Sequence, residues 1–280
     1  MKQSEVSLRG NVAIVTGGGR GVGRTMALGF ARHGADVVVV ARKNRDQIEG
    51  VAAEARAAGV RALAVTCDVT NEEQIDHMVG EVDREFGRAD ILFNNVGGGL
   101  FLLAEYDPAI RALAGDSTGP AFWDMKPDLW ESVVKIDLTS VFMVSRAVTR
   151  HFFLKQKSGT IINNSARHAV EPLPVIGFSA YSACKAAVNH LTRVMAVELK
   201  TAGVTSNALS YPLLKTAETE GTIFEKLKDK RGGWFRPEIG LPAALYLAGP
   251  EGAKHSGEIL ACLEWNEQNG FGSPQEWLAT

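Results

Sequence analysis

The stretch TGGGRGVG (16–23) follows the apolar run NVAIVT (11–16) and precedes a helical pattern. In this layout of strand, glycine turn and helix start, backbone N–H groups can approach a pyrophosphate at the positive end of the helix. Of the five glycines in this stretch, Gly17, Gly21 and Gly23 give the spacing of the turn, which is not G-x-G-x-x-G. A glycine-rich turn alone is a weak signal. Its position directly after the first strand predicts a nucleotide-binding turn.

Further strand-like runs alternate with helical patterns along the chain. They are apolar almost throughout, as expected for parallel strands that are buried on both faces. This order predicts an α/β fold, a single doubly wound Rossmann-type domain with a mainly parallel sheet of about seven strands. The runs are ADVVVVA (35–41), RALAVT (61–66), ADILFNN (89–95), GTIINNS (159–165) and VTSNALS (204–210).

No internal repeat or low-complexity linker divides the chain, so a single Rossmann-type domain is expected over 1–280. Two stretches interrupt the rhythm, at about 98–127 and 211–237, and are predicted to be substrate-loop insertions. The C-terminal tail, 263–280, carries aromatic residues and could cover a pocket or a subunit contact.

Composition narrows the possible partners. The net charge of −2 gives no electrostatic footprint for nucleic acid or for an anionic membrane surface. No apolar run reaches the roughly 18 residues of a spanning helix, and MKQSEVSLRG (1–10) lacks the apolar core of a signal peptide. Cys67, Cys184 and Cys262 are odd in number and lack metal-ligand spacing. We expect reduced, structural cysteines, no metal, no membrane and a cytoplasmic location.

The end of the second strand predicts which dinucleotide fits. An acidic residue there holds a ribose 2′-hydroxyl, whereas a basic residue accommodates a 2′-phosphate. Here the strand ends in Arg42 and Lys43, with no carboxylate until Asp46, and Arg20 lies in the glycine turn. Two basic positions that converge on one ribose favour NADPH/NADP+.

Several spaced motifs then occur in a fixed order. They are TGGGRGVG, Asp68-Val69 after the third strand, NNVG (94–97), WESVVKIDLTSVF (130–142), GTIINNS, YSACK (181–185) and Asn207-Ala208. With them the chain resembles the short-chain dehydrogenase/reductase family over roughly 8–262. The resemblance implies a set of cofactor-binding residues, in which Asp68 and Val69 hold the adenine and Asn95 lines the central part. The set is Gly17, Arg20, Gly21, Val22, Arg42, Asp68, Val69, Asn95, Gly97, Tyr181, Lys185 and Thr216.

Tyr181 and Lys185 are four residues apart and share a helix face. A free tyrosine has a pKa near 10 and is a poor proton donor or acceptor at neutral pH. A nearby ammonium favours the phenolate and lowers that pKa. The pair can then protonate a developing alkoxide while hydride arrives from the cofactor. By the resemblance, Lys185 also holds the nicotinamide ribose.

The third catalytic group departs from the family pattern. The resemblance places a catalytic serine at the position of Ala166, and Ser165 stands one residue early. Neighbouring side chains on a strand face opposite sides, so we expect Ser165 to reach the site only through a bulge. Three alternatives stay open: Ser165 is re-aimed, His168 or Ser179 substitutes, or activity is weak or altered. His168 by itself is read as an exposed loop residue.

A second departure is Asp137, where the family usually has an asparagine that relays protons through water to the lysine. An ionised carboxylate can accept such hydrogen bonds but cannot donate them. We interpret Asp137 as a tolerated relay variant, so Tyr181, Lys185, Ser165 and Asp137 form the predicted catalytic set.

The family resemblance also implies which segments wall the substrate pocket. Their aromatic and aliphatic side chains carry few fixed charges, which suggests a bulky, largely apolar carbonyl compound. Thr216 is expected near the carboxamide end of the cofactor, and GEILACLEWNEQNGFG (257–272) replaces the usual last strand. The expected wall residues are Leu100, Phe101, Leu102, Phe122, Trp123, Pro172, Leu173, Pro174, Phe178, Tyr211, Phe224, Trp234 and Phe235.

The sequence therefore predicts an NADPH-dependent carbonyl reductase that acts on a small molecule and assembles as a homodimer or homotetramer. Two other functions remain possible. One is a dinucleotide-binding protein with weakened catalysis, motivated by Ala166. The other is a relative of the same fold with non-redox chemistry, such as elimination or cyclisation, in which Tyr181 is the general acid.

Overall fold

The computed structural model describes residues 6–98, 120–171, 177–217, 219–220 and 233–279. Its centre is a seven-stranded sheet in the order β3-β2-β1-β4-β5-β6-β7, in which every pair is parallel. This confirms the doubly wound α/β fold. The strands are β1 Val12–Thr16, β2 Asp36–Ala41, β3 Ala62–Thr66, β4 Ile91–Asn94, β5 Gly159–Ala166, β6 Val204–Tyr211 and β7 Ile259–Ala261.

Seven helical elements connect or follow these strands in the described part of the chain. They are α1 Gly21–Arg32, α2 Arg45–Ala57, α3 Glu72–Phe86, α4, α5 Ser179–Glu198, α6 Leu241–Ala248 and α7 Cys262–Gln268. The label α4 covers a continuous run that is α-helical over Pro127–Val134, Ser140–Val148 and Leu154–Gln156, and π-helical over Lys135–Thr139 and Thr149–Phe153. Short 3-10 turns lie at Phe122–Asp124, Arg167–Ala169, Lys200–Ala202, Pro237–Gly240, Gly252–Lys254 and Pro274–Trp277.

The core lies on both faces of the sheet. Along β2, Val37 and Val39 pack in the cluster that contains α1, α2 and α6, whereas Val38 and Val40 pack in the cluster that contains α3 and α4. Side chains alternate between the two faces of a strand, so a strand covered on both sides needs apolar residues at every position. This explains the uninterrupted apolar runs of the sequence.

The last strand corrects one expectation. The segment 257–272 was expected to replace the usual strand, yet Ile259–Ala261 pairs with β6 before the chain turns into α7. Only three residues pair because the helix begins at Cys262. In the residues that the structure describes, no helix combines the length and the apolar character needed to cross a membrane.

The tail packs against the second predicted loop segment. Phe235 forms one isolated bridge with Leu214 and another with Leu278. Main-chain hydrogen bonds join Arg236 N to Trp277 O at 3.0 Å and Ala279 N to Trp234 O at 2.8 Å. The tail therefore fixes the end of this loop segment by backbone pairing.

Candidate active site

A cavity of about 320 Å³ opens at the carboxyl ends of the strands. In an open parallel sheet this edge, near the point where the strand order reverses, is the usual ligand site. Each expected cofactor residue except Lys185 lines the cavity. The lining includes Gly17, Arg20, Gly21, Val22, Arg42, Asp68, Val69, Asn95, Gly97, Tyr181 and Thr216.

The glycine turn lies closely against its neighbours. A Cβ at Gly18 would lie 2.7 Å from Val39 Cγ1, and one at Gly23 would lie 2.1 Å from the carbonyl oxygen of Gly17. Gly17 also has a φ of +64°, a conformation that favours glycine. No side chain caps the start of α1 among the described residues, and no acidic residue lies in its first turn. These features fit a phosphate group at the helix N-terminus.

Basic side chains border the cavity at the end of β2. Arg42 and Lys43 line it, and Asn44 follows in the left-handed conformation with a φ of 58°. The Arg42 Nη1 atom lies 3.7 Å from Asp68 Oδ2, and roughly a third of the Arg42 side chain is exposed. This pair joins the ends of β2 and β3. The planar fork of a guanidinium matches the geometry of a phosphate.

An amide network joins the ends of β1, β4 and β5. The Thr16 hydroxyl accepts the N–H of Asn95 at 2.9 Å, and Asn95 Nδ2 donates to Gly17 O at 3.2 Å. Asn164 Nδ2 donates to Asn95 Oδ1 at 2.9 Å. Asn164 also lines the cavity, although sequence reasoning assigned it no role. The repeated Asn pairs after β4 and on β5 were the available signal.

Tyr181 and Lys185 lie on α5, as their spacing predicts. The Lys185 ammonium is 5.5 Å from the centre of the Tyr181 ring. It donates to the carbonyl oxygen of Asn164 at 3.1 Å and is almost completely buried. The lysine therefore lies behind the cavity wall that carries the tyrosine.

Asp137 lies in the π-helical part of α4 and is fully buried. Its Oδ1 atom lies 3.5 Å from Lys185 Nζ and accepts the N–H of Gly98 at 3.0 Å. A Cβ at Gly97 would lie 2.6 Å from this same oxygen, so the backbone after β4 needs glycine to come this close. Local π-helical turns often accompany functional residues.

The course of β5 bears on the expectation for Ser165. The register with β6 is constant from Gly159 paired with Val204 to Ala166 paired with Tyr211, so this strand has no bulge. Ser165 and Ala166 nevertheless both line the cavity. The Ser165 hydroxyl is buried and has no hydrogen-bond partner among the described residues. Ser165 thus borders the site on a strand that lacks the bulge the sequence argument required, and its role as a donor stays a prediction.

His168 is not the exposed loop residue that the sequence suggested. It is partly buried in the turn Arg167–Ala169 and lines the cavity. Its ring centre lies 6.5 Å from that of Tyr181 and 6.0 Å from that of Phe178. Ser179, the other suggested substitute, lies outside the cavity lining that the described residues form.

The substrate side is partly as expected. Phe178, Leu213 and Trp234 form a buried cluster against which Tyr181 and Ala279 of the tail pack. This cluster lies beside the Tyr181 ring. Phe178 and Tyr211 line the cavity, as expected of two of the proposed wall residues.

Other proposed wall residues lie elsewhere. Phe122 and Trp123 are about 70% exposed, contact each other edge to face and are absent from the cavity lining that the described residues form. Phe235 belongs to the main core between the sheet and α6. The remaining proposed wall residues lie outside the described residues, namely Leu100, Phe101, Leu102, Pro172, Leu173, Pro174 and Phe224.

The cysteines are buried, and burial raises the pKa of the Cys184 thiol to about 12. Cys184 packs against Leu129 and Val133 of α4. No cluster of His, Cys, Asp and Glu suited to a metal ion occurs in the described ranges. The donors of the site are hydroxyl, amide, ammonium and guanidinium groups.

A parallel sheet in this order, with a glycine turn and a tyrosine-lysine pair at one cavity, defines a Rossmann-type oxidoreductase that binds a nicotinamide dinucleotide. The model of the short chain dehydrogenase family matches residues 11–226. The chain belongs to the short-chain dehydrogenase/reductase family, whose members use NAD(P).

Named relatives agree with this assignment. The chain is 32% identical over 254 residues to a 3-oxoacyl-[acyl-carrier-protein] reductase of Synechocystis sp., covering 87% of this chain and 94% of the relative. It is similar to the structure of a 7α-hydroxysteroid dehydrogenase complexed with NADH and 7-oxo glycochenodeoxycholic acid, at a TM-score of 0.80 and 28% identity, covering 93% and 96% of the two chains.

A third similar structure is that of a putative gluconate 5-dehydrogenase from Beutenbergia cavernae with bound NADP. It has a TM-score of 0.76 and 29% identity, and the match covers 91% of this chain and 96% of that one. These relatives share the fold and the type of reaction with each other, while the substrates in their names differ.

Proposed function

We propose that this protein reduces the carbonyl group of a bulky, largely apolar small molecule with NADPH. One observation carries the proposal: a single cavity is lined both by Arg20 and Arg42 beside the glycine turn and by the phenol of Tyr181. A cofactor that contacts the basic residues and the glycine turn would extend through this cavity toward the tyrosine. Two similar proteins that reduce carbonyl compounds or bind NADP support the reading.

The preference for NADPH over NADH rests on charge at the ribose. Arg20, Arg42 and Lys43 line the cavity, and the carboxylate that would hold a ribose 2′-hydroxyl is missing at the end of β2. Asp68, an acid that lines the cavity, is paired with Arg42. A guanidinium at this position would accommodate a 2′-phosphate through its planar fork. A similar steroid dehydrogenase structure contains NADH, so the choice between NADPH and NADH is the first property to measure.

The bound cofactor would supply the hydride. The residues of the chain hold the carbonyl oxygen and deliver the proton: the carbonyl carbon accepts the hydride, and the oxygen accepts the proton of Tyr181, which leaves an alcohol and a phenolate. Lys185 is fixed behind the ring by Asn164 and Asp137. An ammonium in this position favours the phenolate that forms, and the paired carboxylate of Asp137 opposes it.

Ser165 is the proposed second donor to the carbonyl oxygen. Ser165 is one of the residues that line the cavity, and its buried hydroxyl has no partner among the described residues. An unsatisfied buried hydroxyl carries a desolvation cost that a bound ligand would remove. His168, which also lines the cavity near Tyr181, is the competing donor.

The apolar character of the substrate is inferred from the wall. Phe178 and Leu213 line the cavity, and Trp234 completes their cluster beside Tyr181. Walls of this kind favour ligands with large apolar surfaces. The 7-oxo bile acid in a similar structure is a carbonyl compound of this type.

We infer further that the protein forms a homodimer or homotetramer and is located in the cytoplasm. Exposed apolar side chains on α4 and α5, namely Trp130, Phe142, Leu154, Val194 and Val197, support an interface there. Three buried free cysteines fit a reducing compartment. Light scattering of the purified protein gives the mass of the assembly directly.

The function is tested by NADPH consumption with a panel of hydrophobic ketones, imines and enones. We expect ketone-dependent oxidation of NADPH, with weaker use of NADH. Ala166 is the observation that favours a second candidate, a dinucleotide-binding protein with other or weakened chemistry. Tight NADPH binding without substrate-dependent oxidation, together with another conversion that Tyr181→Phe abolishes, would establish that candidate instead.

A further inference from the structure

The charged groups behind Tyr181 are an ammonium and a carboxylate, and not a lysine alone. Lys185 does not stand alone: its ammonium lies 3.5 Å from Asp137, and both side chains are almost fully buried. Asp137 is held in place by the N–H of Gly98 at 3.0 Å. The carboxylate therefore has a fixed position in a region of low dielectric, where its field reaches the neighbouring phenol with little screening.

The two charges act on the phenol in opposite directions. An ammonium favours the phenolate, and a carboxylate disfavours it. Because Asp137 and Lys185 form a pair, the net charge behind the ring is close to zero. Burial raises the pKa of Tyr181 above its ordinary value, and the Asp137 carboxylate raises this pKa further.

The other described groups that face Tyr181 do not supply the electrostatic effect of the Asp137–Lys185 pair. Cys184 on the same helix has a raised pKa and stays neutral over the useful pH range. His168 approaches from the turn after β5, with ring centres 6.5 Å apart. From the loop and tail, the cluster around Tyr181 supplies apolar contacts. The Asp137–Lys185 pair is therefore the main charged feature that the described residues place behind the phenol.

We propose that Asp137 is a positioning residue that keeps Tyr181 in its protonated form, so that the site donates protons for carbonyl reduction up to alkaline pH. The reverse reaction needs a phenolate to accept the proton of an alcohol, so it becomes fast only at higher pH. This inference rests on the proposed function for its meaning in catalysis. The ionisation of Tyr181 itself is independent of any substrate.

The test is an NMR titration of isotopically labelled tyrosine Cζ in the protein without cofactor, with the Tyr181 signal assigned by Tyr181→Phe. In the wild type we expect Tyr181 to stay protonated beyond pH ~10, the ordinary tyrosine value. In Asp137→Asn the ammonium is left uncompensated, so we expect the midpoint to fall by about one pH unit or more. The double variant Asp137→Asn/Lys185→Met should titrate closer to the wild type than Asp137→Asn does.

A matched control is Asp128→Asn, which removes an exposed carboxylate from the first turn of the same helix and should leave the Tyr181 midpoint unchanged. His168→Gln separates any histidine contribution near neutral pH. Asp137→Ser is a smaller neutral replacement that gives the same reading if Asp137→Asn does not fold. An unchanged or raised midpoint in the neutral Asp137 variants would overturn the inference.

Kinetics then connect the titration with turnover. For hydrophobic secondary alcohols and NADP+, Asp137→Asn should move the rising limb of the oxidation pH profile downward by the same amount as the Tyr181 midpoint. If the titration shifts and no alcohol or ketone is turned over, the electrostatic inference stands and the proposed function fails. If turnover occurs and the Tyr181 midpoint does not move, the proposed function stands and the inference fails.

Discussion

The two sides of Tyr181 differ in how their polar groups are satisfied. Behind the ring, Lys185, Asp137, Asn164 and the N–H of Gly98 are joined by hydrogen bonds and an ion pair. At the end of β5, the Ser165 hydroxyl is buried without a partner among the described residues. We call the first set the paired frame and the end of β5 the open end.

This difference indicates that the paired frame has a structural role and that the open end belongs to the binding surface. Buried polar groups are normally paired, so a closed network is expected where rigidity is needed. The Ser165 hydroxyl lacks a partner in a residue that lines the cavity, so we expect a ligand to pair with it. The paired frame is thus expected to control stability and ionisation, and the open end is expected to control the rate with substrate.

The largest effect is expected when the paired frame is broken. Lys185→Ala leaves the Asp137 carboxylate buried without its cation, which should lower the free energy of unfolding by about 3–5 kcal/mol. Urea denaturation measures this change. Lys185→Met/Asp137→Asn, which removes both charges, should recover most of the loss. Equal loss in the single and double variants would show that the pair is not what stabilises this region.

Substitutions at the open end should change the rate of the reaction and leave the stability of the fold unchanged. Ser165→Ala is expected to lower kcat on the order of 10² to 10³, because a donor to the developing oxyanion is lost. Ala166→Ser should restore part of this rate in the Ser165→Ala background. Ser206→Ala removes another buried hydroxyl without a partner, on β6 away from the cavity lining of the described residues, and serves as the control.

If Ser165→Ala keeps full activity, His168 becomes the donor of choice, and His168→Gln should then carry the loss. Activity retained in both variants would mean that the open end does not contact the carbonyl oxygen. In that case the contrast between the two sides of Tyr181 would have no catalytic meaning.

A substitution that alters the choice of cofactor, outside the paired frame and the open end, should have an intermediate effect. Arg42→Ala should weaken NADPH binding by about tenfold to a hundredfold, because charge-assisted hydrogen bonds to a phosphate are lost. NADH binding should change little, since no phosphate is present there. Fluorescence titration with both nucleotides measures the ratio, and Arg24→Ala, on the outer side of α1 where it pairs with Glu54, is a matched control.

The smallest effect is expected at the tail. Arg236 donates to Glu276 O at 2.6 Å and lies 5.4 Å from the Trp277 ring centre. An exposed cation–π contact contributes about 0.5–1 kcal/mol, so Arg236→Ala should raise KM roughly twofold to fivefold and leave kcat unchanged. A change in kcat of similar size would indicate that the tail positions Tyr181 as well as the substrate wall.

Sequence reasoning predicted most of the fold and the cavity. Apolar runs between turn residues marked six of the strands, and the ordered motifs brought Gly17, Arg42, Asp68 and Tyr181 to one cavity. These features depend on local patterns and on the fixed geometry of a parallel sheet. The roles assigned to the individual site residues stay predictions.

Three features could not be predicted, because they depend on contacts between distant segments. β7 is only three residues long and runs directly into a helix, so its pattern was hidden. His168 is partly buried, and its ring lies near those of Phe178 and Tyr181. The access of Ser165 to the cavity depends on where β5 ends, and strand alternation by itself argued against it.

The most direct test of the central claim compares NADPH binding and NADPH oxidation in the wild type and in Tyr181→Phe. We expect the wild type to oxidise NADPH in the presence of a hydrophobic ketone. Tyr181→Phe should bind NADPH with similar affinity and lose about 10² to 10⁴ in rate, the usual contribution of a general acid. Full activity in Tyr181→Phe would contradict the proposed role of the tyrosine. A wild type that binds NADPH tightly but oxidises it with none of the carbonyl compounds tested would contradict the proposed reductase function.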